Sequence, residues 1–384
     1  MINEKKFARA VLFDTEPKVI KEVNSYCSSW SYRHDGYKIE MQGAGNNWAM
    51  GFFTHGPAFE DDCLEILQRE IERCDQLHGF LAFSSVAGGT GSGLGSFMSE
   101  KLRDHYPKIS SANITVWPFQ RGDVSVQAYN SVLTLAALQN SSDAVIMFEN
   151  DWLLKLCRQK MALSRASMPE LNTVASQQLA NLLLPVESCN SICPRFNDLL
   201  AHLVPHPQYK LLGLRAVPQE PVASLPFSAH TWSGLLRSLR RMVLYDSVID
   251  EVYGKCASTC NVNTRLPISL CNLLVLRGRD SKSADWNLLH KPSLPYTSWV
   301  PSSFRLKTLI NCNSFLSYDR TAVLANNGQL SICCVDVALK KAWSMFYRKA
   351  YFHHYEDFGL SKDDFKLSIR IVHQIISSYE TLAI

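Results

Sequence analysis

Two kinds of segment alternate along the first half of the chain. Short apolar and β-branched runs predict buried strands at residues 8–13, 79–86, 113–117 and 143–149. Between them, apolar residues recur at helical spacing and predict helices at residues 61–77, 94–105 and 124–138. This alternation is typical of a doubly wound α/β layer with a largely parallel sheet.

The pattern changes after a long apolar-periodic helix predicted at residues 172–184. The next segment is richer in Pro and Ser, with strands predicted at residues 211–216, 270–277 and 321–325 and a helix at 231–243. From residue 338 the pattern is helical to the end, in two segments separated near Gly359. We therefore predict three parts: a first α/β domain at residues 1–184, a second α/β domain at 185–337 and C-terminal helices at 338–384.

Composition narrows the class of protein. The chain has 384 residues, is 46% hydrophobic and carries a net charge of only +4. Without a block of like charges it has no sign of a nucleic-acid-binding arm or an acidic tail. No apolar run reaches the ~18 residues of a membrane helix, and the first residues do not resemble a signal peptide. We expect a soluble, intracellular protein that binds neither nucleic acid nor membrane.

Cysteine and histidine spacings give weak hints of metal binding. The 12 cysteines are expected to stay reduced in an intracellular protein. Two pairs each have half of a zinc-site spacing: Cys189 with Cys193, and Cys256 with Cys260. They lie far apart in the sequence and are more simply explained as thiols in loops. His202 and His206 are spaced as in a zincin helix, but Pro205 breaks that helix. We predict no metal held by protein side chains alone.

The most informative segment is residues 87–95, Ala-Gly-Gly-Thr-Gly-Ser-Gly-Leu-Gly. It follows a predicted strand and opens a predicted helix, a geometry in which backbone N–H groups face an anion. Its glycines are expected to allow positive φ and to let phosphate oxygens approach the backbone. Neither a Walker A lysine nor the acidic residue of a Rossmann fold follows. A phosphate would be held by amides, by the hydroxyls of Thr90 and Ser92, and by Mg²⁺. The alternative is a plain glycine-rich turn.

Residues 87–93 resemble the tubulin signature Gly-Gly-Gly-Thr-Gly-Ser-Gly, with Ala87 in place of the first glycine. Further segments resemble tubulin motifs in the family's order: residues 13–17, 43–49, 126–130, 149–151, 171–172 and 345–355. The resemblance covers essentially the whole chain. Four short variants are similar to the delta branch of the family: residues 141–144, 204–207, 283–285 and 296–299.

The resemblance implies a GTP site with Mg²⁺. The residues that it assigns to the nucleotide are Gly45, Asn46, Ala87, Gly88, Gly89, Thr90, Gly91, Ser92, Gly93, Asp123, Gln127, Asn150 and Asn172. Among them, Gln127 would lie at the ribose, while Asn150 and Asn172 would read guanine. Asp14 and Glu16 would lie near Mg²⁺ and hold it through water. Asp198 would act in hydrolysis on the nucleotide of a neighbouring subunit, or would be a simple surface carboxylate.

The same resemblance implies the tubulin fold, with a GTPase-type sheet, a second α/β domain and a C-terminal helical hairpin. It implies a cytoskeletal role in the triplet microtubules of centrioles and basal bodies and in ciliogenesis. Expected partners are epsilon-, alpha- or beta-tubulin and centriolar proteins. Expected locations are the cytoplasm, the centrosome, the base of the cilium and also the nucleus. The alternative is a non-catalytic structural subunit that has lost nucleotide binding.

Some features depart from the family pattern. The chain enters that pattern at the second strand, so the strands at residues 8–13 and 79–86 would both lack a partner. The chain would be either truncated or a degenerate copy, and we favour truncation because the downstream loops are kept. We expect it to bind GTP weakly or not at all, and whether it hydrolyses GTP on assembly stays open. Met168, where tubulins often have an aromatic ring, would weaken stacking on guanine.

Overall fold

A computed structural model describes residues 6–25, 29–122, 124–159, 161, 163, 166–186, 194–221, 224, 227–245, 266–290 and 294–383. The chain divides into two compact units. Unit 1 comprises residues 1–113, 121–142 and 338–372, and unit 2 comprises residues 114–120, 143–337 and 373–384. The division into three domains that the sequence suggests stays a prediction.

Eleven strands are found in the described part of the chain. They are β1 (Lys6–Phe7), β2 (Leu12–Asp14), β3 (Trp30–Ser31), β4 (Tyr37–Ile39), β5 (Phe80–Ser85), β6 (Ser111–Trp117), β7 (Ala144–Glu149), β8 (Leu211–Val217), β9 (Ser269–Gly278), β10 (Leu306–Asn311) and β11 (Arg320–Gly328).

Twelve α-helices are found in the same residues. They are α1 (Pro17–Ser25), α2 (Gly56–Glu72), α3 (Gly95–His105), α4 (Gln127–Ser141), α5 (Asn150–Gln159), α6 (Met168–Leu183), α7 (Phe196–Leu203), α8 (Trp232–Tyr245), α9 (Ser302–Arg305), α10 (Ile332–Tyr347), α11 (His353–Glu356) and α12 (Lys362–Glu380). Two π-helical segments, Met50–His55 and Thr90–Leu94, run directly into α2 and α3.

One mixed sheet of seven strands has the order β10-β9-β11-β8-β7-β6-β5. Strands β7 and β8 are parallel, as are β9 and β10, whereas β11 runs antiparallel to both of its neighbours. The α/β class with a large sheet is confirmed. The sheet is mixed because β11 inserts between β8 and β9, each of which it pairs along six or more residues.

The predicted strand at residues 8–13 differs from expectation. β1 ends just before this segment and β2 begins within it at Leu12, and β2 pairs in parallel with β4 in a separate two-stranded sheet. Between the strands, Arg9 forms an ion pair with Glu70 of α2 at 3.6 Å. At the edge of the large sheet, β5 alternates half-buried and exposed residues, and Phe83 is exposed.

Each unit has its own apolar core. In unit 1, α2 packs on α3 through buried residues: Phe59, Cys63, Leu67, Leu94, Phe97, Met98 and Leu102. In unit 2, α8 lies on the sheet and buries Leu236, Leu239 and Met242 against Leu274, Leu276 and Leu324. A polar contact adds to this second core. The Nε of Arg277 in β9 donates to the carbonyl of Asn181 in the last turn of α6 at 3.0 Å and so caps that helix end.

Six described cysteines form no disulfide, namely Cys63, Cys74, Cys157, Cys271, Cys312 and Cys334. Cys333 is disulfide-bonded, so the expectation of thiols throughout is wrong at this residue. A search of the described helices finds none with the length and apolar character that crossing a membrane requires.

Candidate functional site

Three loops of unit 1, which follow β2, β4 and β5, come together. The hydroxyls of Thr15 and Thr90 share a hydrogen bond of 2.6 Å, and Thr15 is fully buried. The carboxylate of Glu16 lies beside Gly43, whose missing Cβ would sit 3.3 Å from Glu16 Oε1. The acidic loop is therefore next to both glycine-containing loops, as a phosphate site with an associated cation requires.

A single buried side chain, Asn130 of α4, fastens two of these loops. Its Nδ2 donates to the carbonyls of Asn46 at 2.8 Å and Ala87 at 2.7 Å. Its Oδ1 accepts from the N–H of Trp48 at 3.1 Å and from the hydroxyl of Tyr355 at 2.6 Å. All four hydrogen-bonding positions of this amide are used, so it fixes the distance between the loops.

The C-terminal segment of unit 1 is tied into the same network. Asn47 Nδ2 donates to the carbonyl of His354 at 2.8 Å, and the hydroxyl of Tyr129 donates to the carbonyl of Ala350 at 2.9 Å. Burial raises the pKa of Tyr129 to about 12, and it raises the pKa of Tyr355 as well. Both phenols therefore keep their protons and remain donors at every physiological pH.

The glycines of the loop after β5 are needed for close packing. In residues 87–95 none has a positive φ, contrary to expectation; positive φ is found instead at Gly45 (54°) and Asn46 (53°). A Cβ on Gly93 would lie 2.2 Å from the carbonyl oxygen of Trp48. The two loops thus touch backbone to backbone, which only glycine permits.

Two hydroxyls that the sequence suggests for phosphate binding are engaged within the protein. Ser92 is fully buried, and its Oγ donates to the carbonyl of Gly88. Thr90 pairs with Thr15, as described above. The groups that remain for an anion include the backbone N–H of Gly88, which is only half-buried, whereas the N–H of Ala87 donates to Ser85 Oγ at 3.3 Å. They precede a continuous helical run, whose positive end favours an anion.

Asp14 has the environment of a carboxylate that would gain from a cation. Burial raises its pKa, and the charge of Glu16 adds to this effect, while hydrogen bonds from the backbone N–H groups of Glu16 and Thr15 oppose it. One of these bonds, from Glu16 N to Asp14 Oδ1, is 2.9 Å long. The described residues hold no group of three or more His, Cys, Asp or Glu side chains suited to a metal. These two carboxylates fit a hydrated Mg²⁺ that is also bound by phosphate.

The structure does not place His202 and His206 together as a zinc-binding helix would. α7 ends at Leu203, so His202 and His206 do not share one helix. His202 Nε2 lies 2.9 Å from the carbonyl oxygen of Asn272. Both cysteine pairs lie outside the described residues.

The residues expected at the guanine base belong to unit 2. Asn150 is the first residue of α5 and is buried, and its side-chain amide makes no hydrogen bond with any described residue. Asn172 is exposed in the first turns of α6, which packs against α5. Met168, at the start of α6, is 46% exposed. Their role in reading guanine stays a prediction.

Three further candidates have different surroundings. Gln127 is buried beside Gly122, where a Cβ would come within 2.1 Å of Gln127 Oε1. Asp123 lies outside the described residues. Asp198 is exposed at the start of α7, where its Oδ2 accepts the N–H of Arg195 at 3.1 Å. Helix capping therefore explains part of its position.

Sequence comparison agrees with this geometry. Residues 2–158 match the GTPase domain of the Tubulin/FtsZ family. A tubulin delta chain of Mus musculus is 40% identical over 396 residues, covering 98% of this chain and 86% of the relative. The tubulin delta chain of Homo sapiens is 38% identical over 391 residues, with 97% and 86% covered. A tubulin gamma chain of Eremothecium gossypii is 28% identical over 384 residues, with 97% and 78% covered.

The loops around Asn130 and the matched GTPase domain define a protein of the GTP-binding tubulin class, and the chain belongs to the tubulin family. Within this family it is delta-like, since its similarity to tubulin delta chains extends over nearly its whole length.

Proposed function

We propose that the chain is a GTP-binding assembly subunit that acts in the triplet microtubules of centrioles and basal bodies and in ciliogenesis. The main support for a GTP site is that Asn130 hydrogen-bonds to two glycine-containing loops, which lie next to the acidic loop. The role in centrioles is supported by similarity to tubulin delta chains. Other tubulins (epsilon, alpha or beta) and centriolar proteins are the proposed partners.

In this proposal the nucleotide lies across the amides of the loop after β5. Gly45, Asn46 and the loop of residues 87–93 surround the phosphates, with backbone N–H groups as donors in place of the hydroxyls of Thr90 and Ser92, while Asp14 and Glu16 hold Mg²⁺ through water. When bound, Mg²⁺ neutralises phosphate charge. Asp123 and Gln127 face the ribose, and Asn150 and Asn172 give guanine preference. A buried amide such as that of Asn150 discriminates well, because leaving it unpaired costs ~1–3 kcal/mol.

Hydrolysis would depend on assembly. Asp198 is exposed and its carboxylate is held by the N–H of Arg195, so it can be presented to the nucleotide of a neighbouring subunit. There it would orient or deprotonate the attacking water.

One observation favours the second candidate, a structural subunit without turnover. The hydroxyls of Thr90 and Ser92 are both used within the chain, which leaves fewer donors for phosphate than the sequence suggests.

Nucleotide content after mild purification tests the proposal. Guanine nucleotide in the purified protein, identified by chromatography after acid extraction, and calorimetric binding of GTP much tighter than that of ATP would support the GTP-binding subunit and would contradict the weak binding expected from the sequence. Protein without nucleotide, and with no heat on adding Mg-GTP, would favour the structural subunit. For the cellular role, a tagged protein should label centrioles, and its depletion should reduce triplets to doublets in electron micrographs.

A further inference from the structure

The strands that carry the acidic loop do not belong to the large sheet. Strands β1 to β4 form two separate two-stranded sheets, and within the described residues neither pairs with any of the seven strands. The acidic loop, residues 14–16, follows β2, and its partner strand β4 leads into the loop that contains Gly43. Interactions other than strand pairing therefore set the position of β2 and β4 on unit 1.

Apolar contact holds one side of β2 against the helices. Val11 and Phe13 pack on the core that lies between α2 and α3. Such contact is non-directional, so it favours burial without fixing where the strand lies along a helix. Directional interactions are needed to fix that register.

The directional interactions converge on Glu70, near the C-terminal end of α2. Its carboxylate lies 3.6 Å from Arg9 Nε, 3.6 Å from Arg33 Nε and 3.0 Å from Arg73 Nη1. The Glu70 side chain is only 12% exposed, so solvent ions screen these charges weakly. Arg73 also binds Asp35, at 2.8 Å. Three guanidinium groups thus share two carboxylates, and removing the charge of Glu70 would leave them with one.

Arg9 and Arg33 connect Glu70 to the beginning of both strands. Arg9 lies just before β2, and Arg33 opens the turn before β4, where its carbonyl accepts the N–H of Gly36 at 3.1 Å. The carbonyl of Gly36 accepts the N–H of Leu12 at 3.0 Å, which joins this turn directly to β2. Glu70 therefore holds the two strands together at one end.

The acidic loop lies at the opposite end of the same two strands. β2 ends at Asp14, whose carbonyl accepts the N–H of Glu40, the residue after β4, at 3.2 Å. Three residues of extended chain span about 10 Å, so Glu70 influences the loop from a distance. A shift of the two strands along α2 would displace the carboxylates of Asp14 and Glu16 by the same amount.

The other ion pairs between α2 and these strands reach β4 and its following loop only. Lys38 pairs with Asp62, and Glu40 Oε2 lies 3.1 Å from His55 Nδ1, just before α2. Among the described carboxylates of α2, only Glu70 also forms an ion pair with the chain before β2.

We propose that Glu70 is a positioning residue for the acidic loop. Through Arg9 and Arg33 it fixes the register of β2 and β4 on α2, and so it places Asp14 and Glu16 for a cation. The positioning is a property of the chain alone, whereas its consequence for a cation rests on the proposed function.

Hydrogen–deuterium exchange of the full chain without nucleotide, followed residue by residue, tests the positioning. In E70Q the N–H groups of Leu12 and Glu40 should exchange at least about tenfold faster, because the hydrogen bonds that protect them open when the strands shift. The N–H of Phe80, which donates to the carbonyl of Ser110 at 2.8 Å in the same unit, should change less than about twofold.

The matched control is E65Q, on the same helix. Glu65 is 71% exposed and lies 3.8 Å from Arg69, so this variant loses a surface ion pair and should leave all of these exchange rates within about twofold of wild type. Raising NaCl from about 0.05 M to about 0.5 M should speed exchange of Leu12 in wild type and narrow its difference from E70Q. A purely steric role of Glu70 would show no such salt dependence.

Three outcomes would overturn the positioning role: unchanged exchange of Leu12 in E70Q, an equal increase at Phe80, or an equal increase in E65Q. If E70Q does not fold, R33Q serves in its place, because it removes one partner of Glu70 and keeps Arg9 and Arg73. It should speed exchange of Leu12 about threefold, and an unchanged rate would contradict the proposal.

Calorimetric titration with GTP, in Mg²⁺ and in EDTA, tests the consequence for the cation. E70Q should weaken GTP binding about tenfold in Mg²⁺ and less than about twofold in EDTA, because only the cation depends on the acidic loop. Equal losses in both buffers would overturn the link to the cation. If wild-type protein bound no GTP in either buffer, the proposed function would fail, and the exchange of Leu12 and Glu40 would still decide the role of Glu70.

Discussion

At the scale of single residues, Asn130 determines whether the nucleotide loops keep their spacing. Truncation to alanine in N130A leaves two carbonyls, one N–H and one hydroxyl without partners. We expect the free energy of unfolding to fall by roughly 2–4 kcal/mol, since each buried unpaired group costs ~1–3 kcal/mol and some recover water. Urea unfolding measures this change, and calorimetry should show a parallel loss of GTP affinity.

Tyr355→Phe is the control for Asn130. It removes one hydroxyl donor and keeps the ring in its aromatic surroundings, where Tyr129 lies 5.4 Å away between centroids. It should cost ~0.5–1.5 kcal/mol and change GTP affinity little. If N130A were no more destabilising than Y355F, residues other than Asn130 would have to hold the loops together.

Alanine substitutions at Gly93 and Gly95 distinguish the effect of close packing on stability from the effect of helix propensity. A Cβ on Gly93 would meet the carbonyl of Trp48 at 2.2 Å, whereas on Gly95 the nearest atom would be Ser84 Cβ at 3.5 Å. We expect G93A to destabilise by ~1–3 kcal/mol or more through overpacking. G95A should be neutral or should stabilise by up to ~1 kcal/mol, because alanine favours the helix. Thermal melting of both variants checks this, and a harmless G93A would contradict the contact between the loops.

The raised pKa of Asp14 makes a prediction about pH. The folded chain holds the proton of this carboxyl more tightly than the unfolded chain does, so its contribution to stability falls as pH rises above the ordinary value of 3.8. D14N should therefore raise the melting temperature at pH 7, and the gain should vanish in acid below that value. Asparagine can still accept the N–H of Glu16.

The same variant tests the cation. If Asp14 lies near Mg²⁺, D14N should show a smaller thermal shift than wild type on adding Mg-GTP, although it is more stable alone. An equal thermal shift in both proteins would show that Asp14 does not contribute to the cation site. It would not affect the conclusion that Asp14 is buried.

At the scale of helices and strands, α12 is held to unit 1 by an aromatic cluster. Phe365 is fully buried, with ring centroids 4.8 Å from Phe346, 5.1 Å from Tyr129 and 5.2 Å from Phe352. F365A should cost ~3–5 kcal/mol in urea unfolding, because it leaves a cavity among rigid rings. L367A, on the same helix at a half-exposed position, should cost less than about 1 kcal/mol. Similar losses would mean that the cluster does not hold the helix.

Elements with a strong periodic pattern were predictable from sequence. The strand at residues 79–86 corresponds to β5, and the helix at 94–105 corresponds to α3. By contrast, β10 mixes polar and apolar residues, and α5 follows β7 with no intervening loop, so neither has a local boundary signal. The order of strands depends on pairing between distant segments, which no single segment encodes.

The site was predictable to a similar degree. The glycine loop carries its own signal, a strand followed by glycines and a helix. Asn130 does not, because the partners of its amide lie 43, 82, 84 and 225 residues away in the sequence. Its local signal is its place at the end of the tubulin-like motif at residues 126–130, which does not reveal those partners. The internal hydrogen bonds of Ser92 and Thr90 were also beyond sequence reasoning, since they depend on how the loops pack.

At the scale of the whole molecule, function in this family would lie between subunits, and Asp198 is where the chain offers a test. Its carboxylate has two separable properties, a charge and a hydrogen bond to the N–H of Arg195 at the start of α7. D198A removes both, while D198N removes the charge and keeps an acceptor for Arg195.

Capping and catalysis then predict different results for the two variants. If Asp198 acts on a neighbour's nucleotide, both should slow GTP loss in mixed polymers with wild-type tubulins and keep the GTP affinity of the monomer. Stability should fall only in D198A, by ~0.5–2 kcal/mol for the lost cap. Radiolabelled GTP measured in pelleted polymer, with melting curves of each monomer, distinguishes these effects. Wild-type rates of GTP loss in D198N would leave this aspartate as a helix cap, because the charge that activates water would then have no consequence.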